Sequence, residues 1–132
     1  MNNKKKILVV EDERELRDFY VEFLSQNYFV MAASDGEEGL SLAFSDKYDV
    51  ILLDLVMPKL DGIGFLEQMK GSTFRDVPVV VMSNLRQDEV IKKCFELGVK
   101  FFIQKADTTP DKVIAILEAA VAGAKKLVQN TH

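Results

Sequence analysis

The sequence has little of several residue types on which common functions depend. It contains one cysteine, Cys94, no tryptophan, and one histidine, His132, which is the last residue. A single cysteine excludes an internal disulfide and a cysteine-rich zinc site, and it is typical of a protein from a reducing cytoplasm. A lone histidine at the end of the chain is a poor candidate for a catalytic base.

Long hydrophobic runs and an excess of positive charge are also missing. No apolar run approaches the roughly 20 residues that a membrane-spanning helix needs. The N-terminal MNNKKKILVV has too short an apolar region for a secretory signal. The formal net charge is −4, and the short basic clusters at 4–6 and 125–126 contain no aromatic residues. We therefore expect a cytoplasmic protein with no direct contact to membranes or nucleic acid.

What the sequence does contain is a regular alternation of short apolar blocks and helical patterns. Each block is rich in β-branched or aromatic residues and is short enough to be a strand. The predicted strands are 7–10, 28–33, 50–53, 77–82 and 100–104. Five βα units in succession predict an α/β fold with a mostly parallel sheet and helices on both faces. Without a linker or repeat, we expect one domain over 1–132, with its core at about 5–128.

Local signals mark several helix ends. Ser34 to Glu37 (SDGE) resembles a capping box that opens a helix over 39–44. Gly98 is a stop signal for a helix at about 87–97, and Thr109-Pro110 is a start signal for a helix over 110–128. The first helix is predicted from apolar residues spaced along one face, namely Leu16, Phe19, Tyr20, Phe23 and Leu24.

Polar residues follow four of the five predicted strands. Glu11 and Asp12 follow the first strand, Asp54 the third, Ser83 the fourth and Lys105 the fifth. The carboxyl ends of parallel strands meet at one edge, where ligand sites of open α/β sheets form. Each residue alone is compatible with a helix cap, a loop or a surface charge. Together, at matching strand ends, they predict a functional site.

The residue types indicate the chemistry of that site. Three carboxylates favour a hard cation, and a site that keeps waters and is completed by a phosphate suits Mg²⁺ better than Ca²⁺. A carboxylate such as Asp54 is also able to attack phosphorus and form an aspartyl phosphate. A metal, a lysine and a hydroxyl group supply the positioning and charge neutralisation that phosphoryl transfer requires.

Four sequence blocks carry these residues, namely VVEDE (9–13), DLVMPKLDG (54–62), VVVMSN (79–84) and LGVKFFIQK (97–105). In combination they resemble the receiver domain of bacterial two-component response regulators, and the resemblance covers nearly the whole chain. It implies a doubly wound, flavodoxin-like (βα)5 fold with five parallel strands in the order 2-1-3-4-5. It also implies a signalling switch rather than an enzyme, one that catalyses only its own phosphorylation and dephosphorylation.

The resemblance further assigns the acidic residues. Asp54 is the expected phospho-acceptor, which takes its phosphoryl group from a sensor histidine kinase or a phosphotransfer protein in a Mg²⁺-dependent reaction. Asp12 is implied as a direct metal ligand together with Asp54, and Glu11 as a ligand that acts largely through water. The backbone carbonyl of Val56 is the implied third protein ligand.

The remaining assignments concern the switch. Ser83 and Lys105 are expected to bind oxygens of the phosphoryl group. Phe102 matches the switch aromatic, which turns inward as Ser83 moves, whereas its neighbour Phe101 is expected in the core. The output face, defined as the fourth helix, fifth strand and fifth helix around residues 86–126, would bind a separate downstream protein if the chain is complete. A monomer and a phosphorylation-dependent homodimer both stay open.

Four positions depart from the pattern of the family. Ala106 follows Lys105 where proline is usual, so the peptide bond between them is either trans or a strained cis bond. Asn84 replaces a small residue and narrows the access for phosphodonors. Val56 and Leu85 are apolar where polar side chains are common. Because apolar groups do not orient an attacking water, we expect slow autodephosphorylation.

Two other readings compete. A haloacid-dehalogenase-like phosphatase needs a second acid two residues after its nucleophile, and here that residue is Val56. The stronger alternative is a docking module with a receiver fold that is never phosphorylated. The intact set of acids, Ser83 and Lys105 argues against a module of that kind, and a phosphorylation assay distinguishes the two.

Overall fold

The structure is a computed structural model that describes residues 4–129, with side chains through residue 123. Five strands are present in it: β1 (Lys5–Val10), β2 (Tyr28–Ala33), β3 (Val50–Leu53), β4 (Val79–Ser83) and β5 (Phe101–Gln104). The helices are α1 (Arg14–Leu24), α2 (Gly36–Ala43), α3 (Gly62–Lys70), α4 (Asp88–Glu96) and α5 (Pro110–Gln129), with a 3₁₀ turn, η1 (Lys105–Asp107), after β5. His132 lies outside the described residues.

The strands form one parallel sheet in the order β2-β1-β3-β4-β5, which confirms the predicted topology. In register, Val10 lies beside Leu53, Leu53 beside Val81, and Ser83 beside Gln104. These pairings bring the carboxyl ends of β1, β3, β4 and β5 to the same edge. Residues that follow those four strands are therefore neighbours in space, as the sequence pattern predicts.

Side chains alternate between two cores, one on each face of the sheet. Ile51 and Leu53 of β3 pack with helices α2, α3 and α4, whereas Val50 and Leu52 pack with α1 and α5. All four are at most 2% exposed, so β3 is buried on both faces as predicted. Burial of each such side chain contributes about 1.5–3 kcal/mol. The strand that leads to Asp54 is thus a rigid element.

Two phenylalanines lie outside the cores to which the sequence pattern assigns them. Phe19 is 46% exposed and stacks on Phe23 with a ring-centre distance of 5.8 Å. It lies at the margin of the apolar stripe of α1, whose centre, Tyr20 and Leu24, is buried. Phe101 is 37% exposed because it begins the edge strand β5, where fewer elements cover the sheet. The core prediction for Phe101 is therefore wrong.

The capping box before α2 is shifted by one residue from its predicted position. Asp35, not Ser34, is the N-cap, and its side chain accepts a hydrogen bond of 2.8 Å from the N–H of Glu38. The Glu38 carboxylate accepts from the backbone N–H of Ser34 at 2.7 Å. Aspartate is as effective an N-cap as serine, so α2 begins at Gly36 and is longer than the 39–44 prediction.

The other two helix signals are confirmed. Gly98 has a φ of +97° after α4, and its N–H donates to the carbonyl of Phe95 at 3.1 Å. The N–H of Val99 reaches back to the carbonyl of Cys94 at 3.1 Å, which completes a Schellman motif. Helix α5 begins at Pro110, as predicted.

Among the described residues, no helix has both the length and the apolar character to cross a membrane.

Candidate functional site

The carboxyl edge of the sheet holds every buried polar side chain of the described residues. These are Glu11, Asp54 and Ser83, which are 3%, 5% and 0% exposed. Each one ends or directly follows a central strand, β1, β3 or β4. Burial of polar groups is costly unless they are paired, so their concentration at one edge indicates a site rather than a core.

Three carboxylates form one cluster at this edge. An oxygen atom from each of Glu11, Asp12 and Asp54 lies within 4.8 Å of the oxygens of the other two. Asp12 is exposed, whereas the other two are buried, so the cluster opens to solvent on one side. Carboxylate oxygens at this spacing suit a hard divalent cation.

Lys105 supplies the positive charge. Its Nζ lies 3.0 Å from Oε1 of Glu11 and 3.4 Å from Oδ2 of Asp54, and its side chain is 16% exposed. Lys105 is the first residue of η1, so the end of β5 directs it toward the carboxylates of β1 and β3. One ammonium group thus bridges two buried acids.

Burial and crowding shift the ionisation of this group of residues. Burial raises the pKa of Glu11 to about 7, with a further rise from Asp54, while the N–H of Glu13 and Lys105 oppose it. Burial also raises the pKa of Asp54, although Lys105 opposes that shift. Burial lowers the pKa of Lys105, but Glu11 and Asp54 outweigh it, and the net pKa is raised. Burial and the closeness of the carboxylates therefore favour a proton or a cation at this site.

The β1–α1 loop is held by contacts that the sequence pattern did not reveal. Oε2 of Glu11 accepts a hydrogen bond of 3.0 Å from the N–H of Glu13. Nη1 of Arg17 donates to the carbonyls of Glu11 and Asp12, at 3.0 and 3.4 Å. In the sequence, Arg17 is one of several charges on a helix, and only the path of the loop brings these carbonyls within its reach.

The other predicted site residues are Val56, Ser83 and Phe102, and of these Val56 has a direct contact with Asp54. Val56 directs its N–H toward Oδ1 of Asp54 at 3.5 Å, and its side chain is 59% exposed. Oγ of Ser83 accepts a hydrogen bond of 3.2 Å from the N–H of Leu85. Phe102 is half-buried against the core that includes α4. The structure therefore places Ser83 at the end of β4 and Phe102 on the neighbouring strand β5.

The loop between Asp54 and α3 is closed by short backbone contacts. The N–H of Gly62 donates to the carbonyl of Leu55 at 2.9 Å, and the Asp61 side chain caps α3 by accepting from the N–H of Gly64 at 2.9 Å. A Cβ on Gly62 would lie 2.6 Å from Cα of Leu55, so only glycine fits there. This loop fixes the backbone that follows Asp54.

The sequence leaves open whether the peptide bond between Lys105 and Ala106 is trans or a strained cis bond. The described residues contain no cis peptide bond, so this bond is trans. The N–H of Ala106, which a proline would lack, donates to Oδ1 of Asn84 at 3.0 Å. Asn84 is exposed and its side chain is bonded to the neighbouring loop.

The fold and the acid–lysine cluster are those of a receiver-type module, and comparisons with known proteins agree. The family model of the response regulator receiver domain matches residues 7–118. A probable transcriptional regulator, ycf27, of Guillardia theta is 33% identical over 133 residues. That match covers 100% of this chain but 51% of the relative, so the chain spans about half the length of that regulator.

Solved structures give the same result. The receiver domain of the Francisella response regulator 1452 is 28% identical, with a TM-score of 0.83 and coverage of 90% of this chain and 98% of that one. The N-terminal domain of an uncharacterised protein from Wolinella succinogenes is 33% identical, with a TM-score of 0.83 and coverage of 96% and 99%. The chain belongs to the response regulator receiver domain family of two-component signalling.

Proposed function

We propose that the chain is a phosphorylation-activated switch in which Asp54 accepts a phosphoryl group. The donor is the phosphohistidine of a sensor histidine kinase or of a phosphotransfer protein. One observation carries the proposal: Asp54 is a buried carboxylate held between an acidic cluster and Lys105, whose Nζ is 3.4 Å away. A buried acid with only a structural role would not need two further acids beside it.

Mg²⁺ is the proposed cofactor, and the residues present suit it. Asp12 and Asp54 would hold the ion directly, Glu11 largely through water, and the backbone carbonyl of Val56 would complete the protein ligands. The raised pKa values of Glu11 and Asp54 support this assignment, because burial disfavours the charged carboxylates and a bound cation would offset that cost. When bound, the ion would neutralise the negative charge of the phosphoryl group.

The chemistry requires an ionised Asp54. One of its carboxylate oxygens attacks phosphorus, a P–O bond forms as the P–N bond of phosphohistidine breaks, and the imidazole leaves with the electron pair of the broken bond. Lys105 favours the ionised carboxylate against the effect of burial, and it would then pair with a phosphoryl oxygen. Ser83 donates its hydroxyl hydrogen to another phosphoryl oxygen. The same residues permit later hydrolysis, so the chain would catalyse only its own phosphorylation and dephosphorylation and act on no separate substrate.

A groove beside the site suits the donor protein. It has a volume of about 330 Å³ and connects α1 with the segment after β5, with Phe19 and Lys105 among its lining residues. Phe19 is 46% exposed and provides apolar contact area in the groove that Lys105 also lines. A phosphohistidine presented on a helical donor would thus reach Asp54 past an apolar surface.

The switch itself would be a shift between two states. Ser83 moves toward the phosphoryl group, Phe102 turns into the space that becomes free, and the output face changes shape. Phe95 of α4 and Phe101 of β5 are 47% and 37% exposed on that face. Exposed aromatic residues are typical anchors of protein interfaces, which supports a downstream protein as the partner there. A phosphorylation-dependent homodimer would use the same face.

We also propose that the protein is located in a reducing cytoplasm. The thiol of Cys94 is free and buried, which is compatible with that location.

The test is intact mass after incubation with acetyl phosphate, with and without Mg²⁺, beside an Asp54→Asn control. We expect one added phosphoryl group that depends on Mg²⁺ and is absent from the control. If neither acetyl phosphate nor the phosphoryl mimic beryllium fluoride reacts with a folded wild-type protein, the docking-module alternative replaces this proposal.

A further inference from the structure

The segments that carry Ser83 and Lys105 are joined beyond the ends of their strands. Strands β4 and β5 pair in register as far as Ser83 and Gln104. Three side-chain contacts then connect the loop after β4 with the end of β5 and with η1. They join Asn84 to Ala106 at 3.0 Å, Leu85 to Gln104 at 3.0 Å, and Arg86 to Asp107 at 2.9 Å.

These three contacts differ in what they hold. The ion pair of Arg86 and Asp107 is 64% exposed on both sides, so solvent screens it and it contributes little. Gln104 donates from its Nε2 to the carbonyl of Leu85 and thus holds the loop after β4. Only the contact of Asn84 is made to the backbone N–H of the residue that follows Lys105.

The N–H of Ala106 belongs to the peptide unit that joins Lys105 to Ala106, so a bond to this N–H restricts the backbone conformation of Lys105. Lys105 has a long side chain with four rotatable bonds, and its Nζ must lie near Glu11 and Asp54 at 3.0 and 3.4 Å. Proline at position 106 would restrict the backbone by its ring, but alanine does not. The hydrogen bond from Ala106 to Asn84 restricts the same peptide unit by a different means.

We infer that Asn84 is a positioning residue: its side-chain oxygen fixes the backbone at Ala106 and so directs Lys105 toward Asp54. This inference rests on the proposed function, because its consequence is the rate at which Asp54 is phosphorylated. It also explains why two departures from the family pattern occur together. Asn84 and Ala106 are two halves of one contact, and Asn84 is not merely an obstacle to the phosphodonor.

The experiment measures the phosphorylation rate with acetyl phosphate at saturating Mg²⁺ in the wild type and in the Asn84→Ala, Asn84→Asp and Arg86→Ala variants. Loss of one hydrogen bond predicts a rate that is roughly three- to tenfold lower for Asn84→Ala. Asn84→Asp keeps the accepting oxygen and recovers most of the rate at high salt, where its added charge is screened. Arg86→Ala removes only the exposed neighbouring contact, so its rate stays at that of the wild type.

A second readout separates positioning from a general effect on the fold and does not depend on phosphorylation. In Asn84→Ala, the ¹⁵N signal of the Lys105 Nζ is expected to move toward that of exposed lysines, while Mg²⁺ binds no more weakly than in the wild type. An unchanged Lys105 signal in Asn84→Ala overturns the inference. So does a phosphorylation rate in Asn84→Ala that is unchanged or higher. The inference is also overturned if Asn84→Asp at high salt is phosphorylated as slowly as Asn84→Ala. A wild type that is not phosphorylated refutes the proposed function instead, and the Lys105 signal still decides the role of Asn84.

Discussion

At the scale of single residues, the site is defined by charges that the fold forces together. Glu11 and Asp54 are buried at the ends of adjacent strands, and Lys105 is the one cation near both among the described side chains. Two acids and one lysine leave the buried group with excess negative charge. Burial is the main reason that the pKa values of both acids are raised, and the neighbouring carboxylates raise them further. Keeping both acids ionised is therefore costly for the fold when no cation is bound.

The first prediction is a pH dependence of the metal-free protein. Folded protein keeps a proton on Glu11 up to about pH 7, whereas the unfolded chain loses it near 4.5. Between these values the folded state binds more protons, so the free energy of unfolding falls as the pH rises. Urea denaturation in EDTA at pH 5, 6 and 7 measures this fall. Glu11→Gln removes this titrating group and should make the fall less steep, with the remaining fall due to the raised pKa of Asp54. An equally steep profile in that variant would assign the dependence elsewhere.

The second prediction concerns Lys105. In a Lys105→Met variant, Mg²⁺ should bind several-fold more tightly, because a positive charge has been removed from beside the acids. Phosphorylation by acetyl phosphate should nevertheless slow by an order of magnitude or more, because the phosphoryl oxygens lose their cationic partner. Calorimetry gives the first quantity and intact mass the second. Weaker Mg²⁺ binding would show that Lys105 supports the acidic cluster rather than competing with the ion.

The third prediction concerns how long the phosphoryl group persists. Val56 and Leu85 bond through their N–H groups to Asp54 and Ser83, and their apolar side chains are not able to orient an attacking water. We therefore expect a phosphoryl half-life longer than seconds, measured by loss of the added mass after the donor is removed. A Val56→Asn variant should hydrolyse faster because it restores a polar group. A half-life of seconds or less in the wild type contradicts the expectation.

At the scale of elements, the loop from Asp54 to α3 shows how local geometry supports the site. Its closure depends on Gly62, whose N–H bonds to Leu55 at 2.9 Å and whose missing Cβ leaves room for that residue. The side chain of Asp61 then caps α3. Asp54 is thus fixed by β3 on one side and by this loop on the other.

The fourth prediction tests that closure. Gly62→Ala would place a methyl group 2.6 Å from Cα of Leu55, and it should destabilise the fold by about 1–3 kcal/mol through overpacking. Gly123→Ala is the matched control, because Gly123 lies in α5 and a Cβ there meets no atom within 4 Å. That control should be neutral or slightly stabilising, since alanine favours helix more than glycine does. Denaturant midpoints compare the two; equal effects would mean that Gly62 is not constrained by packing.

The strands and the site could be predicted from the sequence, whereas several side-chain exposures and loop contacts could not. Period and composition predicted all five strands, and the polar residues at strand ends predicted the site, because both depend on short-range pattern and one topological rule. Exposure of Phe19 and Phe101 was not predictable, since it depends on how much of each face its neighbours cover. The contacts of Arg17 and the hydrogen bond from Ala106 to Asn84 were not predictable either, because they depend on the paths of loops, which the sequence period does not determine.

At the scale of the whole molecule, one sheet connects the acidic cluster to the proposed output face. Strand β4 carries Ser83 at its end, and β5 carries Phe102 and leads to Lys105. A shift of these two strands and their loops would reach α4 and α5 without passing through the rest of the molecule. Strand β3 is buried on both faces, so it would stay fixed while β4, β5 and their loops shift.

The measurement that tests the central claim most directly is the position of the phosphoryl group. After reaction with acetyl phosphate and Mg²⁺, borohydride reduction converts an aspartyl phosphate to homoserine, and peptide mass mapping locates the change. We predict homoserine at position 54 alone and none when Mg²⁺ is withheld. Modification of a different aspartate, or the same yield at position 54 without Mg²⁺, would contradict this prediction.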